Sequence, residues 1–207
     1  MDIFEAIYTL RAMRRLKADP VPEELIWKVL DAAIRAPSGG NAQPWAFVVV
    51  TDSAKKAKIG EWYLEAWNAA YGGPRAKEAM LASPVMARTF KSADYLANNI
   101  ASVPVLIFAC VQPGQTAATS GAGPNIYPAV QNLMLAARSL GLGTTLTTLH
   151  RAHEADVKEM FGIPADYDTM AMIPMGYPKG NFGSGPRKPV EKVSHWDAWG
   201  NTREPKV

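Results

Sequence analysis

The stretch APSGGNAQPW, residues 36–45, divides an apolar helical pattern from an apolar run typical of a strand. Its first proline prevents the helix from continuing, and its adjacent glycines permit a tight turn. Polar side chains and exposed backbone N–H groups here could bind a planar ligand rich in acceptors. We call residues 36–45 the junction loop. Its candidate binding residues are Pro37, Ser38, Gly39, Asn41 and Gln43.

The junction loop also has a purely structural interpretation. Any connection from a helix to a strand uses glycine, proline, serine and asparagine. Taken alone, the loop therefore favours a binding role and a connecting role equally.

Length and composition indicate one ordinary globular domain. The 207 residues suffice for a sizeable core, and 48% hydrophobic with 20% charged residues is a typical balance. We expect a single domain over residues 1–207, with residues 179–207 as an extended C-terminal arm. No apolar run approaches the roughly 18 residues of a membrane span, and the acidic N-terminus does not resemble a secretory signal. Because Cys110 is the one cysteine, no internal disulfide can form, and we expect a reducing, cytoplasmic location.

The charge distribution argues against nucleic-acid binding. The net charge is only +3, and the basic residues are spread along the chain rather than clustered in a stripe. A modest excess of cations suits a phosphorylated small molecule better.

The alternation of helical and strand patterns predicts an α/β or α+β domain with a central sheet. Residues 75–100 remain unassigned, although Ser83-Pro84 should break any single helix there, and 112–124 is expected to be a loop. The predicted helices are 2–13, 22–36, 54–71, 126–140 and 152–161. The predicted strands are 45–51, 104–111, 144–149 and 169–175.

Six segments in a fixed order resemble the flavin-dependent nitroreductase family. They extend over nearly the whole chain, and their order is more specific than any single segment. They are LRAMRRL at 10–16, DPVPEEL at 19–25, the junction loop, GLGT at 141–144, PMGYP at 174–178 and RKPV at 187–190. Two positions depart from the family pattern, because Leu10 and Ala12 stand where the family usually has arginine and serine.

The resemblance implies a fold, an assembly and an activity. The fold is a three-layer α+β arrangement with a mixed central sheet flanked by helices. The assembly is an intertwined homodimer in which the arm and helices of each partner embrace the other. The activity is oxidoreduction with FMN and with NADH or NADPH as donor. Hydride passes in a ping-pong cycle to flavin N5 and then to a nitroaromatic, quinone or similar small acceptor. No catalytic side chain is required, because the flavin carries the chemistry.

The resemblance also implies roles for individual residues. Arg11 and Arg187 would contact the flavin phosphate, and Arg14 would lie near N1 and O2. Ala12 lies in the same segment. The junction loop would follow the ring edge and the ribityl chain. A backbone N–H within Thr147, Thr148 and Leu149 would face N5. If the first helix reached residue 14, Arg11 and Arg14 would share one helical face.

Aromatic and histidine residues leave further alternatives open. The group of Trp62, Tyr63, Trp67 and Tyr71 could pack on the core or on a partner, or could cover the flavin as a substrate-sorting lid. His150 and His153 favour a surface or pocket position over a metal site, because no third ligand is in local spacing. We therefore predict no metal.

Two other functions remain possible on the same pattern. One is a specialised relative, such as a reductive dehalogenase, an enone reductase or a flavin-consuming enzyme. The other is a flavin-binding protein without turnover.

Overall fold

A four-stranded sheet forms the centre of the computed structural model, which describes residues 1–114 and 123–205. The strand order is β1-β2-β4-β3. The strands are β1 (Trp45–Val50), β2 (Val105–Val111), β3 (Gly143–Thr144) and β4 (Asp168–Gly176). A central sheet flanked by helices confirms the predicted fold class. Each pairing among these four strands is antiparallel, so the mixed character implied by the resemblance does not arise within the described part of one chain.

Seven helices lie around the sheet in the described residues. They are α1 (Ile3–Thr9), α2 (Glu23–Ala33), α3 (Ser53–Tyr71), α4 (Pro74–Leu81), α5 (Pro84–Asn99), α6 (Gly123–Ser139) and α7 (Glu154–Phe161). The predicted break at Ser83-Pro84 is confirmed. Ser83 caps α5 by accepting a hydrogen bond from the Met86 N–H at 3.2 Å, and Pro84 occupies the first helical turn.

The central strand β2 is buried on both faces. All seven residues of β2 are buried, because β2 lies between β1 and β4 and is covered on each side. Residues of α2 and α6 form one core cluster with the sheet, and residues of α3 and α5 form the other. A strand that is covered on both faces has a continuous run of apolar residues, and this run predicted β2 from the sequence.

The first predicted helix was too long. α1 ends at Thr9, and Leu10 already has extended backbone angles. Beyond it, Met13 and Leu16 are buried in the core, and the Met13 N–H donates to the Thr144 carbonyl at 2.8 Å. Pairing with the sheet edge replaces the helix, so Arg11 and Arg14 do not share a helical face.

The predicted strand over 144–149 was also mostly wrong. Regular pairing covers only Gly143 and Thr144, and the next position along β4 is Pro174. Because proline has no N–H to donate, this position keeps only the bond from the Thr145 N–H to the Pro174 carbonyl, which is long at 3.4 Å. Thr147 forms one isolated bridge with Met172, and a 3₁₀ turn begins two residues later.

The ends of the chain and the loops complete the fold. The arm from 179 to 205 holds no helix or strand apart from a short 3₁₀ turn at Val190–Lys192. The predicted loop over 112–124 falls partly on residues outside the described ranges, and its last two residues belong to α6. Among the described residues, no helix is both long and apolar enough to cross a bilayer.

Candidate functional site

The segment 10–16 is held against the sheet edge so that its cations face outward. Met13 and Leu16 anchor it in the core, whereas Arg11 is exposed and Arg14 is half-buried. The contact depends on the absence of a side chain at Gly143, because a Cβ there would lie 2.8 Å from the Met13 Cβ. We call residues 10–16 the arginine segment.

A cavity of about 450 Å³ brings several of the predicted site residues together. Arg11, Ala12 and Arg14 come from the arginine segment, and Arg187 comes from the arm, far away in sequence. We call this space the arginine cavity. Its other lining residues are Ile7, Leu10, Gln131, Met134, Thr144, Thr145 and Leu146.

The arginine cavity carries uncompensated positive charge. Among the residues that the structure describes, no carboxylate pairs with Arg11, Arg14 or Arg187. Within the described ranges, the Arg187 guanidinium donates only to the neighbouring Pro186 carbonyl, at 3.0 Å. Burial lowers the pKa of Arg14, and the nearby Tyr63 acts in the opposite direction. A partly desolvated guanidinium without a carboxylate partner is stabilised by an anionic ligand.

The cavity wall also holds a buried hydroxyl that lacks a partner within the described residues. This is Oγ1 of Thr144, a residue that is 1% exposed. A buried polar atom without a partner is costly, and such atoms mark places where a ligand or an ordered water completes the hydrogen bonding.

The structure narrows the predicted backbone donor. The Thr147 N–H donates to the Met172 carbonyl at 3.0 Å, so it is not available to a ligand. The N–H groups of Thr148 and Leu149 stand at the start of the 3₁₀ turn and have no acceptor in the described part of the chain. Within the predicted segment Thr147, Thr148 and Leu149, the last two positions therefore remain the candidate donors.

Tyr63, a member of the predicted aromatic group on α3, has a hydrogen-bond partner across the fold. Its hydroxyl shares a 2.8 Å hydrogen bond with Oγ1 of Thr147. Burial raises the pKa of Tyr63, while Thr147 and the charge of Arg14 lower it. Tyr63 thus links the arginine segment to the turn at residues 147–149. Its place in an aromatic group on α3 was visible in the sequence, but the partner across the fold was not.

The junction loop is tightly turned and exposed. Gly40, Asn41 and Gln43 have positive φ angles of 58°, 54° and 50°. Asparagine tolerates this conformation, whereas glutamine rarely adopts it. The Gly39 N–H donates to Oδ1 of Asn125 at 2.9 Å, and the Gln43 N–H donates to the Ser38 hydroxyl at 3.0 Å. Within one chain the loop does not line the arginine cavity, so the structure does not bring these two predicted parts together.

The structure favours packing over a lid for Trp67 and Tyr71. Trp67 is 6% exposed, donates from Nε1 to Asp94 at 3.1 Å and packs on Tyr71 with a centroid distance of 4.6 Å. Trp62 is half-buried and stacks on His153 at 5.8 Å. None of the three lines the arginine cavity.

The expected surface or pocket position of His150 is wrong. His150 is 2% exposed, and its Nε2 lies 3.1 Å from the Thr169 carbonyl. Burial lowers its pKa to about 4, although the hydrogen bond to Thr169 opposes this. No group of three or more His, Cys, Asp and Glu in the described residues could hold a metal ion.

Comparison with known proteins places this geometry in a family. The model of the Nitroreductase family matches residues 7–177, so the chain belongs to that family. This membership indicates an oxidoreductase. A putative NADH dehydrogenase/NAD(P)H nitroreductase of Methanothermobacter thermautotrophicus is 30% identical over 96% of this chain and 88% of its own length. Iodotyrosine deiodinase 1 of Rattus norvegicus is 30% identical over 86% of this chain, which spans 62% of that relative.

A solved structure shows the same fold. Oxidized iodotyrosine deiodinase bound to FMN and 3-iodo-L-tyrosine superposes with a TM-score of 0.77 at 22% identity, covering 96% of this chain and all of the other.

The residues of the arginine cavity fit a flavin mononucleotide. Its phosphate requires cations, and three arginines without carboxylate partners in the described residues line the space. Its acceptor-rich ring requires donors, and the Thr144 hydroxyl, which lacks a partner in the described residues, belongs to the cavity wall. The departures at Leu10 and Ala12 remove two polar side chains without closing the cavity, because both residues line it.

Proposed function

We propose that this protein is an FMN-dependent NAD(P)H oxidoreductase whose flavin lies in the arginine cavity. The observation that carries the proposal is the convergence of Arg11, Arg14 and Arg187 on one cavity, without a carboxylate partner in the described residues. Arg11 and Arg187 would neutralise the phosphate. Arg14, which is half-buried, would place positive charge at the N1 and O2 edge of the ring.

The bound FMN would supply hydride transfer from the nicotinamide to an organic acceptor. The chain itself would bind the flavin and orient it towards its substrates. The backbone N–H of Thr148 or Leu149 would donate at the N5 edge, and Tyr63 would hold Thr147 and so fix this turn. Arg14 would favour an anionic ring edge electrostatically, since a cation in a partly dry site acts more strongly than one in water.

A second copy of the chain would complete the site. The junction loop carries exposed polar residues, two of them with positive φ angles, yet it does not line the arginine cavity of its own chain. We infer that it lines the cavity of a partner in a homodimer. Apolar side chains left uncovered in one chain support such an assembly: Phe4 and Tyr8 on α1 are 63% and 66% exposed, and Trp199 on the arm is 90% exposed.

Steady-state kinetics tests the proposed reaction. The flavin-loaded protein should oxidise NAD(P)H in the presence of a nitroaromatic or a quinone, and varying both substrates should give the parallel double-reciprocal lines of a ping-pong cycle. NAD(P)H oxidation no faster than with free FMN would show a flavin-binding protein without turnover. That result would contradict the proposed activity.

A specialised relative is the second candidate function. The chain shares 30% identity with an iodotyrosine deiodinase as well as with a nitroreductase. If it is a reductive dehalogenase, a halogenated phenol should be reduced much faster than a nitroaromatic by the same preparation. A broad, unselective acceptor range would exclude this candidate. The single, buried cysteine agrees with our proposal of a cytoplasmic location.

A further inference from the structure

A second cavity adjoins the arginine cavity and is lined by different cations. Its volume is about 370 Å³, and it shares Arg11, Ala12 and Arg14 with the arginine cavity. We call it the lysine cavity. The residues that line it alone are Met13, Arg15, Ser92, Lys179, Gly180 and Asn181. No aspartate or glutamate lines it.

Arg15 and Lys179 are arranged around one aromatic ring. The Arg15 guanidinium carbon lies 4.4 Å from the centre of the Tyr95 ring, and the Lys179 Nζ donates to the Tyr95 hydroxyl at 2.9 Å. The backbones are also joined, since the Lys179 N–H donates to the Arg15 carbonyl at 2.9 Å. Both cations are therefore positioned before any ligand binds, which reduces the entropy lost on binding.

The charge of these two residues is not balanced locally. No carboxylate in the described ranges pairs with Arg15 or Lys179. Ser92 and Asn181 add a hydroxyl and an amide to the same wall. A guanidinium fork, an ammonium and neutral donors around one space are suited to a phosphate monoester, whose several oxygens accept charge-assisted hydrogen bonds.

We propose that the lysine cavity binds the ribose 2′-phosphate of NADPH and makes this chain prefer NADPH to NADH. The inference rests on the proposed function, because it needs a nicotinamide donor at the flavin. The two donors differ by this one phosphate. Since the two cavities share a wall, a donor whose nicotinamide reaches the arginine cavity can extend its other end towards Arg15 and Lys179. The flavin phosphate remains with Arg11 and Arg187.

A double variant with a matched control tests the preference. Arg15→Ala combined with Lys179→Ala removes the cations that belong to this cavity alone. Lys17→Ala removes an exposed cation that lies two residues after Arg15 in the same chain and lines neither cavity. We expect kcat/KM for NADPH to fall by about tenfold or more in the double variant, with less than about twofold change for NADH. The flavin content and the Lys17→Ala control should match the unaltered protein.

Binding of a fragment provides a readout that does not depend on turnover. Adenosine 2′,5′-bisphosphate carries the distinguishing phosphate, and adenosine 5′-monophosphate lacks it. Calorimetry should show tighter binding of the bisphosphate to the unaltered protein, and the double variant should lose this difference.

The outcomes separate the inference from the proposed function. Equal use of NADH and NADPH by the unaltered protein, or an equal loss for both in the double variant, would overturn the inference and leave the oxidoreductase intact. Loss of flavin from the double variant would show that the flavin phosphate occupies the lysine cavity. That result would also overturn the inference about NADPH. If the chain never binds flavin, the proposed function fails, and the proposed role in donor choice fails with it. The bisphosphate comparison then decides only whether the phosphate subsite exists.

Discussion

At the scale of single residues, the account depends on cations that have no partner of their own. Arg14 is the clearest case, because burial lowers its pKa and no carboxylate within the described residues compensates its charge. A partly buried cation without a carboxylate partner lowers the stability of the fold unless a ligand compensates its charge. The sequence showed the arginines, but their convergence with Arg187 required the folded arm.

Removal of two arginines should remove the flavin and leave the fold. In the variant Arg11→Ala with Arg14→Ala, we expect a folded protein that is colourless after purification, since both the phosphate and the ring edge lose their cation. Circular dichroism checks the fold and visible absorbance checks the flavin. Arg35→Ala is the control, because Arg35 lies in an exposed pair with Asp31 at 2.7 Å. A full complement of flavin in the double variant would show that the cavity is assigned incorrectly.

Buried His150 should make the stability depend on pH. Its folded pKa of about 4 lies below the unfolded value of 6.5, so the unfolded chain binds a proton more readily. The contribution of neutral His150 to the free energy of unfolding is complete above pH 6.5 and is lost as the pH falls towards 4. At about 1.4 kcal/mol per pH unit, the free energy of unfolding should fall by about 3 kcal/mol across this range from His150 alone.

Urea unfolding between pH 4 and 7 measures this contribution. His150→Phe should flatten the pH dependence, and His195→Phe on the arm should not. An unchanged slope in His150→Phe would show that His150 does not carry the effect.

At the scale of elements, local sequence patterns predicted the helices and strands that are buried in a regular way. They failed at the ends of elements that a residue distant in sequence determines. The continuous apolar run of β2 and the helical face of α2 were recognised because burial produces those patterns directly. The ends of α1 and β3 were not recognised. The first depends on Met13 pairing with Thr144, and the second depends on Pro174 in another strand.

The close contact of Gly143 with the arginine segment leads to a prediction at this scale. In Gly143→Ala the new Cβ would lie 2.8 Å from the Met13 Cβ, which cannot rotate away. We expect a loss of about 1–3 kcal/mol in the free energy of unfolding, together with weaker flavin binding because the segment must shift. Thermal unfolding and a flavin titration measure the two effects.

Gly73→Ala is the matched control, because nothing lies within 4 Å of a Cβ at that position. If Gly143→Ala binds flavin as tightly as the unaltered protein does, the arginine segment does not position the cofactor.

At the scale of the whole molecule, one chain displays the parts of a site that it does not assemble. The junction loop does not line the arginine cavity, and apolar residues on α1 and the arm are exposed in the single chain. The six segments of the family pattern predicted the family and the fold, and four residues named from them, Arg11, Ala12, Arg14 and Arg187, line one cavity. The proposed meeting of the junction loop with this cavity across two chains could not be derived from residue spacing, because it would depend on surfaces rather than on periodicity.

Shortening the arm should affect assembly and flavin together. Deletion of residues 190–207 removes Val190, Val193, Trp196 and Trp199, which are exposed in the single chain, and retains Arg187. We expect the homodimer to dissociate at low protein concentration and the flavin affinity to fall, which light scattering and flavin fluorescence measure. A shortened chain that remains dimeric and binds flavin normally would contradict the proposed role of the arm.

The visible absorption spectrum of the purified protein, followed by heat release and chromatographic identification of the chromophore, tests the central claim most directly. The account predicts a yellow protein that releases about one FMN per chain. A colourless protein that also fails to take up added FMN would contradict it, and would show that the arginine cavity, with Leu10 and Ala12 in its wall, does not hold a flavin.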